Sequence, residues 1–227
     1  YRDLVLAVGA DPIRLPLQGD AADVVLSVND LGDFAGFSQA LDGVPAGQTV
    51  RRVVILGGGL IGCEFANDLA GAGYRVQVVD LAPQLLARLL PQESAAFMQR
   101  KLEEEGVVFH LGTTTQQIEK IQNIGQQGAQ FRLTLANGEN IIADVVLSAV
   151  GLKPRTALAA AAGIKIDRGI VVNGLLQTSF EDIYALGDCA QVEGRVLPFV
   201  MPIMHAARAL AAIAASLPTS RRARPPS

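Results

Sequence analysis

Residues Val53–Asp80 read VVILGGGLIGCEFANDLAGAGYRVQVVD, and this stretch decides the fold. Val53–Leu56 is an unbroken apolar run, the composition of a strand buried on both faces. Gly57, Gly58 and Gly59 then interrupt it. From Leu60 the apolar residues Ile61, Phe65, Ala66, Leu69 and Ala72 recur at helical spacing, and Gly73 closes the helix. Val76–Val79 is a second apolar strand, ending on Asp80. Strand, turn, helix and strand in this order specify a parallel βαβ unit.

The glycines carry chemistry as well as shape. Gly57, Gly59 and Gly62 stand in G-x-G-x-x-G register. The first permits a tight turn, the second lets backbone approach a pyrophosphate, and the third lets helix and strand pack closely. The start of the helix, at Leu60 and Ile61, offers phosphate its unpaired N–H groups and positive dipole end. Asp80 ends the second strand, where a carboxylate can accept hydrogen bonds from an adenosine ribose diol. A 2′-phosphate there would meet like-charge repulsion, and Leu81, Ala82 and Pro83 supply no arginine clamp. Arg75 and Arg88 are the nearest cations, with Arg88 expected to face solvent or pair with Glu93. The motif therefore predicts NAD(H) rather than NADP(H). A glycine-rich turn in an unrelated α/β protein is the alternative it leaves open.

Composition narrows the remaining classes. The chain has 227 residues, of which 50% are hydrophobic and 18% charged, and this excludes a disordered chain or a coiled coil. The net charge is −3, with no long basic run ahead of the C-terminal SLPTSRRARPPS, so nucleic acid has no electrostatic footprint here. Cys63 and Cys189 form no Cys-x-x-Cys, and the histidines are His110 and His205 alone. That excludes a zinc site, a disulfide framework and a local dithiol centre; no metal is expected. Core packing is the expected role of both cysteines, and a structural role that of His205. No stretch approaches the ~18 consecutive apolar residues of a membrane span. A reducing cytoplasm is the expected location. The start on an apolar run at Tyr1, without initiator Met or targeting segment, suggests a piece of something longer.

Elsewhere the pattern continues as α/β. Leu4–Val8 reads as a strand ending at Gly9, followed by a connection through Pro12 and Pro16. Gln92–Glu105 reads as an amphipathic helix ended by Gly106. Val107–Leu111, Thr113–Ile121 and Phe131–Leu135 read as strands, and Asn137-Gly138 marks a hairpin to Ile141–Ile142. Val145–Val150 is a buried run ending in Gly151; Ile170–Val172 and Ile183–Ala185 are short strands. Met204–Ala215 is an Ala-rich helix opening just after Pro202. These elements predict a doubly wound α/β fold whose parallel sheet is covered on both faces. The tail from Ser216 has no apolar face and is expected to be disordered.

Three further segments, LVLAVGA (Leu4–Ala10), VVLSAVGLKP (Val145–Pro154) and TSFEDIYALGDCA (Thr178–Ala190), give the whole chain a family likeness. With them it resembles the pyridine nucleotide-disulfide oxidoreductase superfamily over about residues 1–215. GCEFANDL, YALGDCA and VMPIM followed by ARALA are most similar to rubredoxin–NAD reductases. The resemblance implies a Rossmann-like, two-dinucleotide-binding-domain fold. Residues 49–153 would form an NAD-binding domain inserted in a partial FAD-binding domain built from 1–48 and 154–215, with 216–227 as the tail.

The resemblance also assigns residues. Gly187 and Asp188 would meet the ribitol of FAD, with Gly9 and Ala10 on the same side; Gly151 would lie on the NAD side. Glu64 would face the nicotinamide–isoalloxazine contact, or else be an exposed first-turn acid favoured by the helix dipole. Pro202 fits a first helical position, opening a helix aimed at the flavin with Val200 against the ring; an ordinary buried helix is the alternative. The implied activity passes electrons from NADH through flavin to a small iron carrier, rubredoxin, and it requires no catalytic acid–base pair. Ferredoxin- or nitrite/nitric-oxide-linked reductases of the same fold, and a non-catalytic NAD-binding module, are the other readings. The resemblance implies an FAD pyrophosphate motif upstream of Tyr1 and a C-terminal domain beyond the matching region, so the implied activity is expected to belong to a longer parent and this chain alone is expected to be inactive. The sequence leaves the electron acceptor and the oligomeric state open.

Overall fold

In the computed structural model, residues 2–42, 51–121 and 130–216 are described. The expected boundary at residues 48–49 and all but the first residue of the expected tail lie outside them. Two short strands, β1 (Leu4–Leu6) and β2 (Ala10–Pro12), precede helix α1 (Leu31–Asp42). The glycine-rich motif folds as β3 (Arg52–Leu56), α2 (Leu60–Gly71) and β4 (Arg75–Asp80). After it come α3 (Gln92–Glu104), β5 (Val108–Leu111), β6 (Thr115–Ile121), β7 (Gln130–Leu135), β8 (Asn140–Ala143) and β9 (Val145–Ser148). The chain continues through β10 (Leu152–Pro154), α4 (Ala157–Ala161), β11 (Ile170–Val172), β12 (Ile183–Ala185), β13 (Ala190–Val192) and α5 (Val200–Ser216).

Two compact units result, Pro12–Gly151 and the residues up to Asp11 together with those from Leu152. In the central unit, a parallel sheet of order β5-β4-β3-β9 sets Val53 beside both Val76 and Val145. Strand periodicity then sorts its residues between two cores. Val53, Ile55, Val76, Val78, Val145 and Leu147 pack with Cys63, Ala66 and Leu69 of α2 and Leu102 of α3. Val54, Leu56, Val79 and Val146 pack on Ile118, Leu133, Leu135 and Ile141 of the antiparallel sheet β6-β7-β8. Both faces are covered, but the second is covered by a sheet rather than helices. The Asn137-Gly138 hairpin explains this: Gly138 takes φ 85°, and Leu133 pairs with Ile141 across the turn.

Residues 12–42, which begin with the connection through Pro12 and Pro16 and were expected within a partial FAD-binding domain of residues 1–48, pack into this central unit. Leu15, Leu17, Val24 and Val25 lie against the second core, and Leu26 bonds through its backbone to Val146 and Ser148. Helix α1 starts at a reciprocal cap: Asp33 N–H donates to Asp30 Oδ1, and Asn29 N–H donates to Asp33 Oδ2, both at 2.9 Å. Its Phe37 is buried and meets Phe65 edge-on at 5.5 Å.

In the other unit, β1 pairs parallel with β12 and β11 with β13, around a core of Leu6, Ile164, Ile170, Tyr184, Cys189 and Leu210. β2 pairs with β10, inside the stretch read as an irregular connection. Helix α5 begins at Val200, so Pro202 is its third residue, not its first. The helix tolerates this, since first-turn N–H groups have no intrahelical partner to lose.

One ion pair ties the central sheet at its base. Arg52 at the start of β3 donates from Nε and NH2 to the two oxygens of Asp144, at 3.1 and 2.7 Å, and its N–H donates to the same carboxylate at 2.8 Å. Burial alone would raise the Asp144 carboxyl, but the side-chain and backbone hydrogen bonds from Arg52 outweigh it and hold the group below the usual carboxylate range. A folded-state value below the unfolded one adds stability that is complete above about pH 3.9 and is lost as pH falls through the folded value. Asp144→Asn is therefore expected to cost about 1–2 kcal/mol at pH 7, a figure reduced for the partial exposure of the pair, and much less near pH 3. Denaturant unfolding at the two pH values checks this; an equal cost at both would contradict it.

Candidate functional site

The turn between β3 and α2 is shaped by what its glycines lack. Gly57 has φ +111°, and a Cβ there would lie 2.6 Å from the Ala149 carbonyl oxygen just past β9. A Cβ on Gly62 would lie 1.9 Å from the carbonyl oxygen of Gly57, so the helix rests directly on the turn. Around Gly59 there is nothing within 4 Å of the same position. Two glycines thus fill steric needs within the chain, while the third leaves open space beside a helix N-terminus. The first bond of that helix runs from Cys63 N–H to Gly59 O, and the N–H groups of Leu60, Ile61 and Gly62 have no partner within it. Open space and free donors at a positive dipole end fit a pyrophosphate.

Asp80 lies at the carboxyl end of β4 beside this turn. Its Oδ2 accepts the Gly58 N–H at 2.5 Å, and its Oδ1 accepts the Ala82 N–H at 2.7 Å. A carboxylate has about four lone-pair sites, which leaves acceptor capacity for a diol. Arg75 and Arg88 are both exposed, and no Arg88–Glu93 ion pair occurs among the described residues. Gly151 follows β9 with φ +111°, two residues beyond the Ala149 that abuts Gly57. Glu64 is exposed on the first turn of α2, as are Leu60 and Ile61. Cys63 is buried behind the turn and its Sγ donates to the Gly58 carbonyl at 3.5 Å. Burial first, then the charges of Asp80 and Glu64, push its thiol up to about 11, so it remains protonated and packs.

The second group of residues lies in the other unit, beyond the carboxyl ends of the paired strands β1 and β12. Gly9 and Gly187 follow these strands with φ +70° and +82°, and Ala10 is buried. Next to Gly187, the Asp188 Oδ1 is buried without a hydrogen-bond partner among the described residues. An unsatisfied buried carboxylate oxygen is costly, and a sugar-alcohol hydroxyl would satisfy it. The residues present therefore fit the ribitol of a flavin. Cys189 is buried, with Sγ near the Leu186 and Leu6 carbonyls at 3.3 and 3.5 Å. Val200 is 74% exposed on the first turn of α5, and Pro202 is half-buried; neither shares a described hydrogen bond with Gly187 or Asp188.

The fold is shared with known proteins. The family model described as pyridine nucleotide-disulphide oxidoreductase matches residues 1–212. The chain belongs to this family. It is 52% identical over 211 residues to the rubredoxin-NAD(+) reductase of Acinetobacter baylyi, a match covering 93% of this chain and 52% of that protein. The rubredoxin-NAD(+) reductase of Alcanivorax borkumensis is 48% identical over the same span. A ferredoxin reductase structure from Rhodopseudomonas palustris superposes with a TM-score of 0.82 at 31% identity, covering 94% of this chain and 52% of that one. The chain spans about half the length of the curated relatives it matches. Its doubly wound, Rossmann-like α/β fold is that of the FAD/NAD-dependent reductases.

Sequence reasoning missed the residues that hold the turn from behind. Gly58 is the variable position of the motif, yet its N–H is bound by Asp80 and its carbonyl by the Leu86 N–H at 2.9 Å. The only signal was a third consecutive glycine. The steric contrast gives a direct check. Gly62→Ala is expected to cost about 1–3 kcal/mol of stability, because helix and turn must separate. Gly59→Ala is expected to cost under about 1 kcal/mol, since its Cβ enters open space. Thermal or denaturant unfolding of the two variants would measure this, and equal losses would show that the turn is not packed as described.

Proposed function

We propose that this chain is the NAD-binding part and a share of the flavin-binding part of an FAD-dependent NADH oxidoreductase that passes electrons to rubredoxin. The observation that carries this reading is the presence, in one chain, of an open glycine turn at a helix start and a buried Asp188 Oδ1 without a partner among the described residues. The first alone would suit any NAD-binding module; the second calls for another polyol ligand. The identity of 52% to a rubredoxin-NAD(+) reductase supports rubredoxin as the acceptor. The ferredoxin reductase likeness, at 31%, supports the second reading, a ferredoxin-linked enzyme of the same fold. Two free, buried cysteines suit a reducing cytoplasm.

In this reading the N–H groups of Gly59, Leu60, Ile61 and Gly62 hold the NADH pyrophosphate, and Asp80 accepts hydrogen bonds from the adenosine ribose. Its charge disfavours a 2′-phosphate, hence NADH over NADPH. Glu64 and Gly151 border the nicotinamide end. Asp188 accepts from the flavin ribitol, and Gly9, Ala10 and Gly187 allow its close approach. Val200 and Pro202 bring the first turn of α5, with its positive dipole end, against the ring. When bound, the flavin supplies the redox chemistry between a two-electron donor and a one-electron carrier, while the protein supplies binding, orientation and electrostatics. No side chain is required to move a proton.

A chimera tests this. With this chain in place of the matching half of the Acinetobacter baylyi enzyme, the purified protein is expected to hold flavin and to reduce rubredoxin with NADH at least about tenfold faster than a plant-type ferredoxin. A yellow, folded chimera that reduces both carriers equally, or neither, would contradict the proposal.

A further inference from the structure

Asp80 does more than end a strand. Its two carboxylate oxygens each hold a backbone N–H, one from Gly58 in the turn and one from Ala82 in the segment that follows β4. That segment folds back over the turn. Leu85 is fully buried, and a Cβ on Gly58 would lie 2.9 Å from its Cδ2 and 3.3 Å from Asp80 Oδ2. Leu86 adopts φ 51°, a conformation a leucine seldom takes, and there donates its N–H to the Gly58 carbonyl. Both polar groups of Gly58 are thereby fixed by residues 80–86. The peptide plane fixed at Gly58 leads directly into Gly59 and the free N–H groups of Leu60 and Ile61.

We infer that Asp80 is a positioning residue for the pyrophosphate turn, acting through the Gly58 N–H, in addition to the ribose contact proposed above. This rests on the dinucleotide reading of the site. A ribose ligand and a positioning residue differ in one consequence. The first matters only to a nucleotide that carries ribose hydroxyls; the second matters to every ligand that uses the turn, NADH and NADPH alike. Asp80 also holds Ala82, so its loss frees the covering segment and the turn together.

The probe is an NADH analogue whose adenosine ribose lacks the 2′- and 3′-hydroxyls. Calorimetric titration of the 227-residue chain compares NADH and the analogue on wild type, Asp80→Ala and Asp80→Asn. Positioning predicts that Asp80→Ala binds the analogue at least about tenfold more weakly than wild type does. Asp80→Asn keeps one acceptor for the two N–H groups; with that oxygen on the Gly58 N–H it is expected to bind the analogue measurably more tightly than Asp80→Ala does. Amide exchange at Gly58 is expected to quicken in Asp80→Ala and to return towards wild type in Asp80→Asn. Equal analogue affinity in wild type and Asp80→Ala overturns the inference while leaving the dinucleotide site intact. Failure of the wild type to bind NADH or the analogue overturns the dinucleotide reading itself.

Discussion

Helix α2 sits on β3 because Gly62 has no side chain. A single methyl there would lie 1.9 Å from the carbonyl oxygen of Gly57. That approach sets the height of the helix above the sheet, and Cys63, Ala66 and Leu69 then reach Val53, Ile55, Val76 and Val78 in one core. It also fixes where the helix begins, and hence where its free N–H groups point. Fold and site share this one contact. A small loss of packing at Gly62 would therefore be felt as a misplaced phosphate cradle as well as lost stability.

Around the turn the chain commits polar groups in a definite order. Asp144 and Arg52 close the base of the sheet, away from the carboxyl ends of its strands. Asp80 and Leu86 hold Gly58 at the opposite end, where ligands bind in open α/β sheets. In the other unit, a buried Asp188 oxygen has no hydrogen-bond partner among the described residues, at the equivalent end of a parallel pair.

Much of this was legible in the sequence, for physical reasons. The apolar run Val53–Leu56 and the glycines after it admit few structures, and the short strands Ile170–Val172 and Ile183–Ala185 lie as read. What escaped reading lacks local periodicity. Helix α1 carries Gly32 and Gly36 and shows a weak apolar face; its signals were Asp30 and Asp33, a cap rather than a stripe. The pairing of β2 with β10 joins residues far apart in the chain, and their sequences, ADP and LKP, carry no apolar run. The entry of α5 was misplaced because Pro202 was read as a first helical residue, when any first-turn position tolerates it. Candidate site residues with a backbone reason, Gly57, Gly62, Gly9 and Gly187, were visible as glycines. The grip of Asp80 and Leu86 on Gly58 was not, since it depends on how residues 81–90 fold back.

The central claim is that the open turn at Gly59–Gly62 receives the pyrophosphate of NADH. Amide-resolved NMR of the 23.8 kDa chain during an NADH titration tests it most directly. The account predicts the largest, saturable shifts at the amides of Gly59, Leu60, Ile61 and Gly62, with smaller ones at Gly58 and Ala82 beside Asp80. Saturable shifts elsewhere, with those four amides unmoved, would contradict it.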